Sequence, residues 1–212
     1  MSNNIVYKSA VGSLIAQVIL GIFTSIGFFV GVPKHVEDDL LPIFMLELSS
    51  QLIEFLWYLI VVCKYREITT WTRYIDWFLS TPVMLISTVL FFLHRSNVNY
   101  DDFLQSGRLY MIIMFNWLML SFGFALELNA IPKIIGLSFG SAMLVASFTV
   151  MASFLQNDGL SIGLFVAMFI VWALYGVAAA FPYKEKNVAY NVLDIVSKNF
   201  YGVFLTIYSF TI

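Results

Sequence analysis

The chain has 212 residues, of which 60% are hydrophobic and only 11% are charged, and its formal net charge is −2. Soluble domains carry about 25% charged residues, so this composition predicts a membrane protein. The slightly negative charge provides no basic surface for a nucleic acid, and a lone cysteine, Cys63, excludes an internal disulfide.

A helix needs about 20 mostly apolar residues to cross a bilayer, and seven stretches of the chain meet or approach that length. They cover residues 11–33, 40–63, 74–93, 109–126, 134–157, 159–183 and 187–212. Short polar segments join them, without a long linker or a clear repeat. The sequence therefore predicts an all-α membrane protein, a seven-transmembrane-helix bundle that forms a single domain over residues 1–212 in the lipid bilayer.

Polar side chains follow one face of the second predicted helix, in the segment ELSSQLIEFLWY. They are Glu47, Ser50, Gln51, Glu54 and Tyr58. The first helix carries Ser9, Ser13 and Gln17 on one face, and the last carries Asn187, Asn191 and Asp194. Buried carboxylates along such a seam would attract cations to a hydrated path, whereas the simpler interpretation is ordinary interhelical hydrogen bonding.

The third predicted helix begins in the segment WTRYIDWFLSTP, where Arg73 and Asp76 are three residues apart on one face. A buried aspartate beside a buried arginine has the partner that it needs, so the simplest interpretation is a structural ion pair. That interpretation leaves the charged residues of the last helix, Asp194 and Lys198, unexplained.

Aromatic residues characterise the sixth predicted helix, in the segment VWALYG. Trp172 and Tyr175 are three residues apart and face one side. Such pairs usually belong to a core. Together with Trp77 of the third helix, they would line a flat slot for a conjugated ligand.

The last predicted helix contains Asp194 and Lys198, one turn apart on one face. A charged side chain at the centre of a membrane helix costs about 2.5–3.5 kcal/mol on insertion scales. Lys198 lies roughly 16 Å along the axis from either end, too deep to reach the interface by snorkelling. Lysines in apolar pockets form Schiff bases with aldehydes, and the resulting cation needs a counterion, for which Asp194 is one candidate.

Metal binding and hydrolytic catalysis have no support in the sequence. His35 and His94 fall in predicted loops, and there is neither an HExxH motif nor a cysteine cluster. We therefore predict no metal site and no enzymatic activity.

Three of these motifs together resemble the microbial rhodopsin family: RYIDW in the third helix, the W..Y spacing in the sixth and LDIVSK in the last, in that order. The resemblance covers the whole chain as seven helices. It implies that Lys198 carries all-trans retinal as a Schiff base, that Asp76 and Asp194 are its counterions, and that Arg73 lies beneath them. It also implies that the chromophore packs against Trp77, Thr81, Pro82, Trp172 and Tyr175.

The chain departs from the outward proton pumps of that family. Their proton donor, a carboxylic acid eleven residues after the third-helix counterion, is replaced by Ser87, which has no proton to donate at physiological pH. The glutamate that archaeal pumps carry about twelve residues before the retinal lysine is replaced by Lys186, next to Glu185. The set of proton-transfer residues that the resemblance implies for an archaeal-type pump is therefore incomplete.

The glutamates of the second helix resemble those of channelrhodopsins, and the short loops resemble rhodopsins of giant algal viruses, one group of which conducts cations. We therefore expect a retinal photoreceptor that acts as a light-gated channel for monovalent cations or protons. The expected pathway comprises Glu47, Gln51, Glu54, Ser13 and Asn191. The alternatives are a light-driven proton pump, in which Glu47 is a displaced proton donor, and a sensory rhodopsin.

Two criteria predict opposite orientations. With the N-terminus outside, the inner side carries Lys34, Arg95 and Arg108. The outer side then carries Lys8, Lys64, Arg66, Lys133, Lys184 and Lys186. The positive-inside rule favours the reverse, whereas the family resemblance implies that the N-terminus is outside, and we adopt the family orientation.

The sequence is compatible with a homo-oligomer but does not determine the oligomeric state.

Overall fold

The computed structural model describes residues 2–33, 37–63 and 69–212, and all regular structure in this part of the chain is helical. The helices are α1 Ser2–Ile26, α2 Glu37–Cys63, α3 Arg73–Arg95, α4 Asp101–Leu104, α5 Gly107–Glu127, α6 Lys133–Ala152, α7 Gly159–Ala179, α8 Tyr183–Asp194 and α9 Phe200–Thr211. A π-helical segment, Gly27–Gly31, continues α1, and a second one, Ile195–Asn199, joins α8 to α9.

Six helical stretches of the described chain are long and apolar enough to cross a membrane. They are Asn4–Gly31, Asp39–Cys63, Thr70–Arg95, Gly107–Glu127, Lys133–Ala152 and Gly159–Ala179. The seventh crossing runs through α8, the π-helical segment Ile195–Asn199 and α9. The predicted seven-helix bundle is therefore confirmed, with an interruption of the last helix that the apolar pattern does not reveal.

The central element of the bundle is α3. Of its most apolar stretch, 72% is buried, compared with 17–33% for the other five stretches that qualify as spans. Large apolar side chains of the outer segments face outward, such as Phe29 in the π-helical segment Gly27–Gly31, which is 79% exposed, and Tyr110 on α5, which is 67% exposed. An apolar exterior around a polar interior is the arrangement that a bilayer requires.

Several boundaries differ from those predicted from hydropathy. α1 begins at Ser2, well before residue 11, because a helix can continue into the interfacial region after its apolar run has ended. For the same reason His94, predicted to lie in a loop, belongs to the last turn of α3. Four residues discussed above, Lys34, His35, Lys64 and Arg66, lie outside the described residues.

The π-helical end of the first crossing packs closely against α9. Gly27 is buried, and a Cβ atom at this position would lie 2.8 Å from both Cβ and Cγ2 of Thr206. Contacts this short do not occur between real side chains, so the two segments approach each other only because residue 27 has no side chain.

We predict that Gly27→Ala destabilises the protein by about 1–3 kcal/mol, the usual cost of inserting an extra methyl group into a packed interior. The measurement is the midpoint of thermal unfolding in lipid nanodiscs. Gly12→Ala is the matched control, because a Cβ atom at Gly12 meets nothing within 4 Å and the midpoint should not fall. Equal midpoints for Gly27→Ala and the wild type would contradict the close packing.

Candidate functional site

Lys198 lies in the middle of the bundle and is only 1% exposed. Its Nζ atom donates a 2.6 Å hydrogen bond to Oδ2 of Asp76 on α3 and lies 4.0 Å from Oε1 of Glu54 on α2. Asp76 and Glu54 are also buried. Three segments of the chain that are far apart in sequence thus contribute ionisable groups to one cluster in the core.

The π-helical segment Ile195–Asn199 supplies the lysine. It buries three consecutive polar residues, Ser197, Lys198 and Asn199, and Asn199 donates a 3.4 Å hydrogen bond to Oε2 of Glu54. π-Helical turns are rare and occur frequently at functional sites. The segment therefore directs adjacent side chains towards α3 and α2.

Asp194, at the end of α8, is the best-connected carboxylate of the core. Its Oδ2 atom lies 3.1 Å from Nη1 of Arg73 and accepts a 2.8 Å hydrogen bond from the hydroxyl of Tyr58. Its Oδ1 atom accepts hydrogen bonds from the indole of Trp77 at 3.1 Å and the hydroxyl of Tyr175 at 2.8 Å. Four donors from four other positions therefore occupy both oxygens.

The two ion pairs of the core connect different helices. Helix spacing allows Arg73 to pair with Asp76 and Lys198 with Asp194, but in the structure Arg73 pairs with Asp194, and Lys198 pairs with Asp76. Spacing along one helix determines the face on which a side chain lies. The partner is determined by the neighbouring helix that this face meets, which the spacing does not reveal.

The guanidinium of Arg73 is held on several sides. It donates hydrogen bonds to the side-chain oxygens of Asn187, at 3.2 Å, and of Asn191. It also lies 4.9 Å from the centroid of the Trp57 ring, a cation–π contact that sequence reasoning missed because tryptophan is common on membrane helices. The hydroxyl of Ser13 donates to the backbone oxygen of Asn191 at 3.2 Å, so direct hydrogen bonds close this end of the polar interior.

The polar face predicted for α2 is buried. Glu47 and Glu54 are fully inaccessible, and Gln51 is 6% exposed. The amide nitrogen of Gln51 donates to Oε1 of Glu47 at 3.0 Å and approaches Oγ1 of Thr24 at 3.3 Å and the backbone oxygen of Lys198 at 3.5 Å. Gln51 therefore links Glu47 to the lysine-bearing segment and to α1.

Several buried oxygens along this face have no hydrogen-bond partner among the described residues. They belong to the side chains of Gln17, Glu47, Ser50, Gln51, Glu54 and Asn199. Buried polar atoms in proteins are nearly always bonded to other protein atoms or to water. The carboxyl and amide oxygens among these atoms can accept hydrogen bonds from water.

Ser87, which replaces the pump donor, is bonded within the bundle. Its hydroxyl donates to the backbone oxygen of Ile43 at 3.2 Å and lies 3.4 Å from the hydroxyl of Tyr201. The position therefore joins α2, α3 and α9 and offers no carboxyl group.

A second polar cluster lies at the end of the bundle opposite Arg73. Arg95 binds both carboxylate oxygens of Asp158 at 3.1 and 3.0 Å, and these hydrogen bonds hold the pKa of Asp158 well below its usual range. Arg95 and His94 approach the hydroxyl of Tyr208 at 3.4 and 3.2 Å, and His94 lies 3.7 Å from Asp39. This cluster connects α2, α3, α7 and α9, and no motif in the sequence predicted it.

A further ion pair joins Lys186 on α8 to Glu127 at the end of α5, with 2.7 Å between Nζ and Oε1. Lys186 occupies the position at which the resemblance implied a glutamate in archaeal pumps. The carboxyl group beside residue 186 therefore comes from Glu127 of another helix. Its contact with Lys186 cannot be read from the sequence.

A cavity of about 630 Å³ lies on the side of Lys198 that faces away from α2. It lies between α3, α5, α6 and α7. Four of the five predicted chromophore contacts line it: Trp77, Thr81, Trp172 and Tyr175. Pro82 does not line the cavity and is buried elsewhere in α3, because Trp77, Thr81 and Met84 are at the positions of that helix that face it. The cavity is apolar, with Lys198 in its wall, and its size is that of pockets that take small organic ligands.

Among solved structures, the chain is similar to the viral rhodopsin OLPVRII, with 26% identity, a TM-score of 0.87, and coverage of 96% of this chain and 97% of that chain. A blue light-absorbing proteorhodopsin from Med12 has 19% sequence identity and a TM-score of 0.76, and the match covers 97% of this chain and 96% of that chain. Bromide-bound halorhodopsin from Halobacterium salinarum has 17% sequence identity and a TM-score of 0.76, and the match covers 99% of this chain and 95% of that chain. At these identities, the last two show the fold alone.

The search of curated protein sequences gave no significant match. The family model described as bacteriorhodopsin-like protein, however, matches residues 10–212, nearly the whole chain. The chain therefore belongs to the bacteriorhodopsin-like, or microbial rhodopsin, family, whose members are integral membrane proteins that bind retinal as their chromophore.

Proposed function

We propose that this protein is a photoreceptor that acts as a light-gated cation channel. The observation that carries the proposal is the distance of 4.0 Å between Glu54 and Lys198, because it joins the lysine to the polar face of α2. Family membership does not decide between activities. Solved structures with this fold include a light-driven proton pump from Leptosphaeria maculans and halorhodopsin, a light-driven chloride pump.

The residues around the cavity fit retinal. An apolar, aromatic-lined space of about 630 Å³ with a buried amine in its wall suits a long hydrocarbon aldehyde. We propose that all-trans retinal is attached to Nζ of Lys198 as a Schiff base, between Trp77, Trp172 and Tyr175. Bound retinal supplies absorption of visible light and isomerises when excited.

The ion pairs support a closed resting state. A positive charge at Nζ of Lys198 lies in the middle of the polar interior and repels any cation that approaches along α2. Asp76 balances that charge, and the pair of Arg73 and Asp194 closes the path beyond it. Transfer of the proton from Nζ to Oδ2 of Asp76, over 2.6 Å, would remove both charges and with them the central barrier.

The unpaired oxygens of α1, α2 and the π-helical segment support a hydrated path. Carboxyl and amide oxygens are suitable contacts for water and for monovalent cations, and carboxylates disfavour anions. The proposed path passes Glu47, Gln51 and Glu54 and continues towards Ser13 and Asn191 once Arg73 releases Asn191. We also propose the family orientation, with the N-terminus outside, which places Glu47 on the cytoplasmic side of Glu54.

A light-driven proton pump is the second candidate, and one observation favours it. Glu47 is buried and hydrogen-bonded through Gln51 to the segment that carries Lys198, so it could return a proton to the core in place of the missing donor at Ser87. A sensory rhodopsin, which would signal through a separate protein, has no specific support in the geometry.

We predict that Lys198→Ala, expressed with added retinal, has no visible absorption band, because Lys198 supplies the only amine among the described residues that line the cavity. Lys186→Ala is the matched control, since it also removes a lysine from the last crossing but leaves the cavity intact, and it should retain the band. A visible band in Lys198→Ala would show that retinal is attached elsewhere.

We predict that Asp76→Asn shifts the absorption band to longer wavelength. A carboxylate at 2.6 Å stabilises the positive charge at Nζ more in the ground state than in the excited state, where the charge moves away from the nitrogen. Absorption spectra recorded across a range of pH test this. If the spectra of Asp76→Asn and the wild type coincide at every pH, the main counterion is Asp194.

We predict that Glu54→Gln changes the conductance and shifts the dark band less than Asp76→Asn does, because Glu54 lies farther from Nζ of Lys198. If the carboxylate contributes about 1 kcal/mol to the binding of a passing cation, the ratio of proton to sodium permeability should change about fivefold. The ratio is obtained from the reversal potential of the photocurrent under patch clamp. Glu185→Gln, the same change at an exposed position of α8, should leave it unaltered.

The same recordings separate the two candidate functions. A photocurrent that reverses with the ionic gradient supports a channel, whereas one of fixed direction at zero gradient shows a pump. If Glu47→Gln slows the recovery of the visible band while both glutamine variants leave selectivity unchanged, the face of α2 is a proton-uptake route and the channel proposal is wrong.

A further inference from the structure

The wall of the cavity beside Lys198 is incomplete on the side of α6 and α7. Some residues that line it are also exposed on the outer surface, among them Val145 on α6 and Val177 on α7, each 52% exposed. Ser141 and Gly176, which line the cavity between them, are exposed as well. The cavity therefore extends to the surface of the bundle that faces lipid.

Small residues keep this gap open. Ser141 lies on α6, and Ala173 and Gly176 lie opposite it on α7. A Cβ atom added to Gly176 would meet nothing within 4 Å, so the space beside it is free. Gly140, by contrast, faces Met119 and Phe122 of α5 and serves helix packing.

Two other approaches to the cavity are closed by polar contacts. Towards the Arg73 end, Asp194 joins Trp77 and Tyr175 by hydrogen bonds of 3.1 and 2.8 Å. On the side of α2, the ion pair of Lys198 and Asp76 separates the cavity from the polar face. An apolar molecule on either route would have to break buried hydrogen bonds, each of which is costly to leave unmade.

We propose that retinal reaches Lys198 laterally, from the hydrocarbon region of the bilayer, through the gap between α6 and α7 that is bounded by Ser141, Val145, Ala173, Gly176 and Val177. A long apolar aldehyde partitions into the bilayer and meets only apolar and small side chains along this route. The route leaves the ion pairs and the hydrogen bonds of Asp194 in place. The inference rests on Lys198 as the attachment point and is independent of whether the protein conducts or pumps ions.

The test follows uptake of retinal by the full-length protein in phosphatidylcholine vesicles. Bound retinal is first removed with hydroxylamine under illumination, and fresh all-trans retinal is then added in the same lipid. Two signals are recorded, in a background in which the exposed Trp71 and Trp117 are replaced by phenylalanine so that retinal in the surrounding lipid is not counted. Quenching of the remaining tryptophan fluorescence reports arrival in the interior, and the visible band reports attachment.

Gly176→Phe should slow both signals together by about tenfold or more, which corresponds to about 1.4 kcal/mol of additional barrier. Gly163→Phe is the matched control, because Gly163 is also exposed on α7, with nothing within 4 Å of an added Cβ, and does not line this cavity. It should regenerate at the wild-type rate.

Three outcomes would overturn the lateral route: a wild-type rate in Gly176→Phe, equal slowing in both phenylalanine variants, or rapid quenching followed by slow attachment in Gly176→Phe. If Gly176→Phe forms no pigment, Val177→Ala decides, since a wider gap should regenerate faster and an unchanged rate refutes the route. Failure of Lys198 as the attachment point has a different signature, namely a visible band that persists in Lys198→Ala.

Discussion

The buried ion pair between Lys198 and Asp76 is the interaction on which the rest of the polar interior depends. A charge moved from water into a protein core loses several kcal/mol of solvation, which only a close partner and further hydrogen bonds recover. The chain meets this requirement with a second pair, Arg73 and Asp194, so that two cations face two carboxylates. Glu54 is a third carboxyl in the cluster, and the cluster is electrically neutral when Glu54 holds a proton.

Lys198 is also the boundary between two very different spaces. On one side lies the apolar cavity between α3, α5, α6 and α7, and on the other lies the polar face of α2 with its unpaired oxygens. The central position of α3 makes this division possible, because one side of α3 carries Trp77 and Thr81 and another carries Asp76. A chemical change at Nζ of Lys198 therefore affects both the apolar cavity and the polar face of α2.

Hydropathy and spacing predicted the seven crossings, the central lysine and the buried face of α2, because each depends on periodicity within one helix. They did not predict the π-helical segment around Lys198, since no sequence signal for it stands out. Spacing alone offered Asp76 as a partner of Arg73 and Asp194 as one candidate partner of Lys198, whereas Arg73 pairs with Asp194 and Lys198 with Asp76. It also missed the cluster of His94, Arg95 and Asp158. All of these depend on the axial register between helices, which one sequence does not encode in a readable form.

The two aspartates beside the core cations are not equivalent as proton acceptors. Asp194 receives four hydrogen bonds, two on each oxygen, and a proton arriving there would displace or weaken at least one charge-assisted bond. Asp76 receives one bond, from Lys198 itself, and its Oδ1 atom has no partner among the described residues. A proton that leaves Lys198 therefore finds Asp76 both nearer and less constrained. In the proposed function, the four hydrogen bonds of Asp194 hold Arg73 in place while that transfer occurs.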